Sequence, residues 1–141
     1  TDGGGMPAAL HVDTGLARLG LPPDEAGRGL EGVGFAPSLL MSHFVASETP
    51  SDPVNARQIA LFEEIRRGFP GVKASLANSS GIFLDAAPHH DLVRPGYALY
   101  GGNPLPGRRN PMRPVVRLEA RILQVRDVPA GTKAGYNGRW T

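Results

Sequence analysis

Short apolar runs bounded by glycine and proline recur through the first hundred residues, broken by one clear helical period. "AALHV" (Ala8 to Val12) reads as a short strand entering an Asp-Thr-Gly turn, and "SLLMSHF" (Ser38 to Phe44) as a second, buried strand. Between them, Pro22 to Pro37 holds six glycines or prolines before Pro37 itself, so any helix there is short or broken. In "VNARQIALFEEIRRGF", Ile59, Phe62, Ile65 and Phe69 recur at the spacing of an amphipathic helix. Pro53 suits its first turn, and Gly68, Pro70 and Gly71 end it. "VKASLAN" (Val72 to Asn78) predicts a third strand, followed by the small-residue turn "NSSG" and a short helix. "DLVRPGYALYGG" (Asp91 to Gly102) follows; Pro95 cannot donate to a sheet, so a strand there stops near Arg94.

The pattern changes after a connection rich in proline and glycine. In "PVVRLEARILQVRDVPAGTKAGY", Val115, Leu118, Ala120, Ile122 and Val125 with interspersed charges predict long antiparallel β-structure with "PAG" as a turn. Strand and helix alternate first, and strands alone follow. That order predicts an α/β portion over residues 1–103 and a separate β portion over residues 111–141. No internal repeat is visible. The opening "TDGGGMP" reads as a flexible lead-in, since no P-loop lysine follows its glycines.

Composition narrows the function classes. With 141 residues, 40% hydrophobic and 20% charged, the chain fits an ordinary globular protein. No window approaches the ~18 apolar residues of a membrane helix, and no secretory signal pattern is seen, so no membrane partner is expected. Without cysteine there is neither disulfide nor thiolate metal site, and no metal is expected. The net charge of +2 is carried by scattered residues. The densest basic cluster, "GRRNPMR", is a loop composition, so nucleic acid is not the expected partner either. Of fifteen basic residues only Lys73 and Lys133 are lysine. Chemistry that needs a lysine nucleophile therefore has two candidates.

Polar groups stand at or just beyond the end of each expected strand of the first portion: Arg18, His43, Asn78 with Ser79, and Arg94. The carboxyl ends of parallel strands are where α/β barrels build sites. Each residue also has an ordinary structural reading. His43 could be a hydrogen-bonded core residue, Asn78-Ser79 a helix cap and Arg94 a surface arginine. As a set these readings fit less well, because buried charge is costly unless partnered. Arg18, within "HVDTGLARLG" and flanked by Leu16, Ala17 and Leu19, is the least explained by packing.

"HVDTGLARLG", "MSHF", "SLANSSGI", "DLVRPGYALYG" and "AGYNGRWT" occur in the order and approximate spacing of alanine racemases, and the chain resembles that family over nearly its whole length. The resemblance implies a pyridoxal 5'-phosphate enzyme that interconverts L- and D-alanine, the D-isomer serving as a peptidoglycan precursor. It implies a bacterial cytoplasmic homodimer with a composite active site. It places Arg18 near the cofactor's phenolic oxygen and the substrate carboxylate, where fixed guanidinium donors match the oxygens and lysine would not substitute equivalently. Arg94 matches the arginine that donates to the pyridine nitrogen, keeping it unprotonated and the ring a weaker electron sink. Asn78, Ser79, Gly96 and Tyr97 match the phosphate region, with the N–H groups of Gly96 and Tyr97 aimed at phosphate oxygens near a helix start. His43 matches the link between Arg94 and a catalytic tyrosine, which is Tyr136. A phenol is a poor base at neutral pH, so His43 and Arg94 would supply the cationic field that activates it. In the family that tyrosine comes from the partner subunit.

Three departures qualify the match. The lysine that binds the cofactor covalently belongs to an N-terminal motif that neither Lys73 nor Lys133 reproduces. A modifiable lysine two residues before the Asp of Asp-Thr-Gly is here His11. The glycine after the catalytic tyrosine is here Asn137, which is less flexible. An eight-stranded barrel takes about 200–250 residues. The expectation is accordingly α/β: the C-terminal half of a (β/α)8 TIM-type barrel followed by the first strands of a β-rich domain. A racemase of serine or another small amino acid, and a non-catalytic module that binds the cofactor, are the alternatives. The free chain, lacking the lysine, is expected to be inactive.

Overall fold

The computed structural model describes residues 7–26 and 36–140. The glycine-rich lead-in at residues 1–6 and most of the broken stretch, residues 27–35, lie outside them. Three parallel strands form one sheet in the order β1 (Ala9–His11), β2 (Leu39–Met41), β3 (Lys73–Ser75). Their register pairs Leu10 with Leu40 and Leu40 with Ala74. Strand residues alternate between faces, and this row is buried in the core. The next row, His11, Met41 and Ser75, falls on the opposite face. The strands are shorter than the sequence predicts but centred where it places them.

Helix α1 (Pro23–Ala26) is a single turn, as the density of glycine and proline requires. Helix α2 (Pro53–Arg66) is started by Asp52, whose carboxylate accepts from the Val54 N–H at 2.9 Å, with Pro53 in the first turn. Phe62 is 0% exposed within the core formed by Leu10, Val12, Leu40, Phe44, Ala74, Leu76 and Leu84. Ile59, Ile65 and Phe69 pack against the same cluster. Asn55 and Gln58 of α2 are buried too, which apolar periodicity does not predict.

The fourth strand expected before Pro95 is reduced to one bridging residue. Arg94 pairs in parallel with Asn78, and its N–H donates to Ala77 O at 2.9 Å. Upstream, the Asp91 and Leu92 N–H groups donate to Ala74 O at 3.1 and 3.2 Å, and the Asp91 carboxylate accepts from the Ala74 N–H at 2.8 Å where a strand would offer a carbonyl. Pro95 closes the segment with φ −81° and ψ 51°, and α3 (Gly96–Leu99) starts immediately.

The long antiparallel β-structure expected after Pro114 does not form among the described residues. Residues 113–129 carry no strand, and Leu118 and Leu123 are each 96% exposed. A strand exists through its partners, and no described segment pairs with this one; alternation supplies a face but not a neighbour. The turn at Pro129 does form, with Thr132 N–H donating to Pro129 O at 3.1 Å. An isolated antiparallel bridge joins Ala134 and Trp140 around the 3-10 turn Tyr136–Gly138.

His90 is wedged against the core, its ring centroid 5.2 Å from that of Phe62 and its Nδ1 3.5 Å from Glu63. Its Nε2 is buried with no protein partner among the described residues. Burial pushes its pKa below the ordinary value of about 6.5, against the raising influence of Glu63. His11 and His43 are lowered for the same leading reason. Below pH 6.5 the unfolded chain therefore binds more protons than the folded one. Stability is full above that pH and declines as pH falls below it. Thermal unfolding followed from pH 8 to pH 5 is expected to show that decline, and His90→Gln to flatten part of it. A midpoint independent of pH across this range would contradict the burial of these rings.

Candidate functional site

The site is assembled where β1, β2, β3 and the Arg94 bridge run out. Arg94 is half-buried, and the Ser75 hydroxyl and the Ser42 carbonyl accept from its guanidinium. Ser75 in turn donates to Leu92 O at 2.7 Å. A third donor lies 3.4 Å from His43 Nδ1. Burial lowers the Arg94 pKa, but a guanidinium stays protonated in proteins. Nδ1 must therefore accept, which leaves the ring proton on Nε2. Burial first, then the charges of Arg94 and Arg18, push the His43 pKa down, so this imidazole is neutral at pH 7, and the cationic field expected from His43 and Arg94 together falls to Arg94. Three of five guanidinium N–H groups are used, and two remain for a ligand.

His43 and Arg94 line a cleft of about 210 Å³ together with Asn78, Ser79, Gly96 and Tyr97. Six of the eight residues singled out from sequence thus share one cleft. Glu48 and Ser80 complete its lining, and no sequence signal separated them from the surrounding loop. The Asn78 side chain braces the 3-10 turn Gly81–Phe83: its Oδ1 accepts from the Gly81 N–H and the Ser47 hydroxyl, both at 2.8 Å. A Cβ on Gly81 would stand 2.8 Å from the Phe44 ring, so only glycine fits there. The N-cap position itself is Ser80, whose side chain makes no cap bond, so Asn78 steadies the turn from two residues further back while lining the cleft. Ser79 Oγ accepts from the Ala98 N–H at 3.0 Å, leaving the hydroxyl proton to be given elsewhere.

Gly96 departs from expectation. Its N–H donates to Arg94 O at 2.9 Å, because Pro95 bends the backbone into a tight three-residue turn. The space beside its Cα is open, with nothing within 4 Å of where a Cβ would sit. The Tyr97 N–H makes no hydrogen bond to another described residue. An anionic ligand would therefore meet the Tyr97 N–H and the Ser79 hydroxyl rather than paired N–H groups. Arg94, with two donors unused, lines the same cleft, so its residues offer hydrogen bonds both to a phosphate and to an acceptor such as a pyridine nitrogen. Among the described residues no cluster of His, Asp or Glu could hold a metal ion.

Arg18 sits outside the cleft lining, on an exposed loop. One oxygen of Asp13 accepts from three successive N–H groups, Gly15 at 2.8 Å, Leu16 at 2.9 Å and Ala17 at 3.1 Å. These bonds, that of Gly15 foremost, hold the Asp13 pKa below the usual carboxylate range. They also stabilise Ala17 at φ +54°, a conformation costly to a residue with a Cβ, and Arg18 follows directly. His11, at the end of β1, is pushed below its ordinary value by burial first and then by the charge of Arg94, with Asp13 opposing and Arg18 adding to the shift. Tyr136 is not brought to the cleft; it is 97% exposed. Asn137 beside it adopts φ +57°, and asparagine is the residue that best tolerates this conformation after glycine.

The profile of the family described as "Alanine racemase, N-terminal domain" matches residues 1–104. The alanine racemase of Methylobacterium sp. (strain 4-46) is 64% identical over 141 residues, spanning 96% of this chain and 38% of that protein. The crystal structure of alanine racemase from Bartonella henselae with covalently bound pyridoxal phosphate superposes with a TM-score of 0.77. The two are 37% identical, across 95% of this chain and 38% of that one. The biosynthetic alanine racemase of Pseudomonas aeruginosa gives a TM-score of 0.79 at 28% identity, across 95% and 39%. The chain thus spans a little over a third of the length of the relatives it matches.

Proposed function

The chain belongs to the alanine racemase family, and from that premise we propose that it supplies the cofactor-holding part of an enzyme interconverting L- and D-alanine. The observation that carries the reading is the convergence of Arg94, neutral His43, Ser79 and the Tyr97 N–H on one cleft. Pyridoxal phosphate, when bound, supplies a ring that delocalises the charge left as the α-proton departs. Arg94 would donate to its pyridine nitrogen without giving up a proton, while Ser79 and the Tyr97 N–H receive the phosphate. Arg18 would orient the substrate carboxylate with its planar donors. His43, accepting from Arg94 at Nδ1, would present its Nε2 proton to the oxygen of Tyr136.

Tyr136 would move the proton on one face of the substrate and a lysine outside these residues on the other. Its exposure here fits a side chain delivered to a partner's cleft, so the working form is read as a homodimer in the bacterial cytoplasm. In architecture, residues 1–103 would form the later half of an eight-stranded α/β barrel and residues 111–141 the opening of a β-rich domain. Unpaired residues such as Leu118 and Leu123 would find their partners there. Among the described residues no helix is long and apolar enough to cross a membrane.

Borohydride reduction of the cofactor-loaded full-length protein, followed by peptide mass spectrometry, tests this reading. The label is expected on a lysine outside the 141 residues, together with D-alanine formation from L-alanine. A label on Lys73 or Lys133, or none, would overturn it.

A further inference from the structure

Gln58 lies on the face of α2 that enters the core and is 0% exposed. A buried amide without partners costs several kcal/mol, so its hydrogen bonds define its position. Its Oε1 accepts from the Val45 N–H at 3.0 Å, and its Nε2 donates to His43 O at 3.0 Å and to Thr14 Oγ1 at 3.1 Å. The carbonyl before Phe44 and the N–H after it are the pair that a neighbouring parallel strand would engage. Strand β2 ends at Met41, and beyond it the side chain of Gln58 extends the ladder by one residue. With Phe44 pinned and its ring in the core, alternation turns His43 to the opposite side, where Nδ1 meets Arg94. The other arm ends on the Thr14 hydroxyl. Thr14 Oγ1 and Ser42 Oγ are 2.7 Å apart, and the Ser42 carbonyl accepts from Arg94.

We infer that Gln58 is a positioning residue, an amide that holds the His43 imidazole in line with Arg94. Its importance for turnover rests on the function proposed above; the positioning itself does not. Leucine or methionine would fill the same volume but leave the His43 carbonyl and the Val45 N–H without partners. His43 would then lose its fixed aim at the guanidinium. The charged and titratable groups around His43 are Arg94, Arg18 and His11, with Glu48 lining the same cleft.

The test follows carbethoxylation of His43 against pH in the cofactor-free full-length protein, read by peptide mass spectrometry, with exposed His89 as the internal reference. In the unsubstituted protein His43 should titrate below the ordinary value. In Gln58→Met its midpoint should rise toward about 6.5. Thr14→Val breaks only the outer arm and should leave the His43 midpoint unmoved while lowering stability. An unshifted midpoint in folded Gln58→Met, or an equal shift in Thr14→Val, would overturn the assignment. Where Gln58→Met does not accumulate as folded protein, Gln58→Asn carries the same measurement without adding a charge. Its amide, one methylene shorter, cannot span the Val45 N–H, the His43 carbonyl and Thr14 together. Alanine racemisation assayed in parallel separates the two readings. A shifted His43 in a protein that never racemises leaves the positioning intact and removes the function.

Discussion

Replacing Tyr136 with phenylalanine is expected to lower alanine racemisation by about 10²–10⁴-fold in both directions, the usual worth of one positioned acid/base group. Folding should be untouched, because Tyr136 is fully exposed and its hydroxyl makes no hydrogen bond among the described residues. The decisive readout is exchange of the substrate α-proton with deuterated solvent. Two groups on opposite faces of the substrate each serve one enantiomer. Removing one should abolish exchange for one enantiomer and spare the other. Loss of exchange from both would mean that Tyr136 supports the site as a whole, and an unchanged racemisation rate would place the second acid/base group elsewhere.

Phe62→Ala is expected to be the most damaging core substitution, at about 3–5 kcal/mol. Phe62 is the largest fully buried side chain, and it joins α2 to the sheet through the cluster that includes Leu40 and Leu76. Its removal also takes away the ring against which His90 is set. Native-state hydrogen exchange of the α2 amides is the suitable measure, since it reports the opening of this layer whatever else the chain is joined to. Protection should fall by nearly the whole of that amount. A loss below about 1 kcal/mol would mean that α2 is not held by this face.

Much of this arrangement is legible in the residues. The strands centre where apolar runs predict them, and α2 starts behind Asp52 and Pro53, buries Phe62 and packs the partly buried Ile59 and Ile65 against the core. Read to its end, the same stripe also points to Gln58 and Asn55. They precede Phe62 by four and seven residues, at helical spacing. Periodicity assigns polar residues to solvent, and only their place on the apolar face betrays them. The cleft was recoverable because its side chains cluster at strand ends, whereas the Gly96 N–H was misjudged because Pro95 decides its direction through ψ, which residue type does not encode. The β portion failed for a different reason. Residues 113–129 alternate as a strand should, but pairing depends on a neighbour that alternation cannot name. Arg18 stays outside the cleft lining, and the loop that carries it is shaped by Asp13, which the sequence offers only as part of a turn.

The Asp13 turn has a kinetic consequence. All three of its bonds span two to four residues, so closing it costs little chain entropy. The β1–β2 pairing that flanks it must first join positions thirty residues apart, Leu10 and Leu40. Contacts so local form in the fastest phase of folding, and non-local parallel pairing forms late. The loop bearing Arg18 can therefore take its shape in the nascent chain, and the sheet closes onto a turn already made.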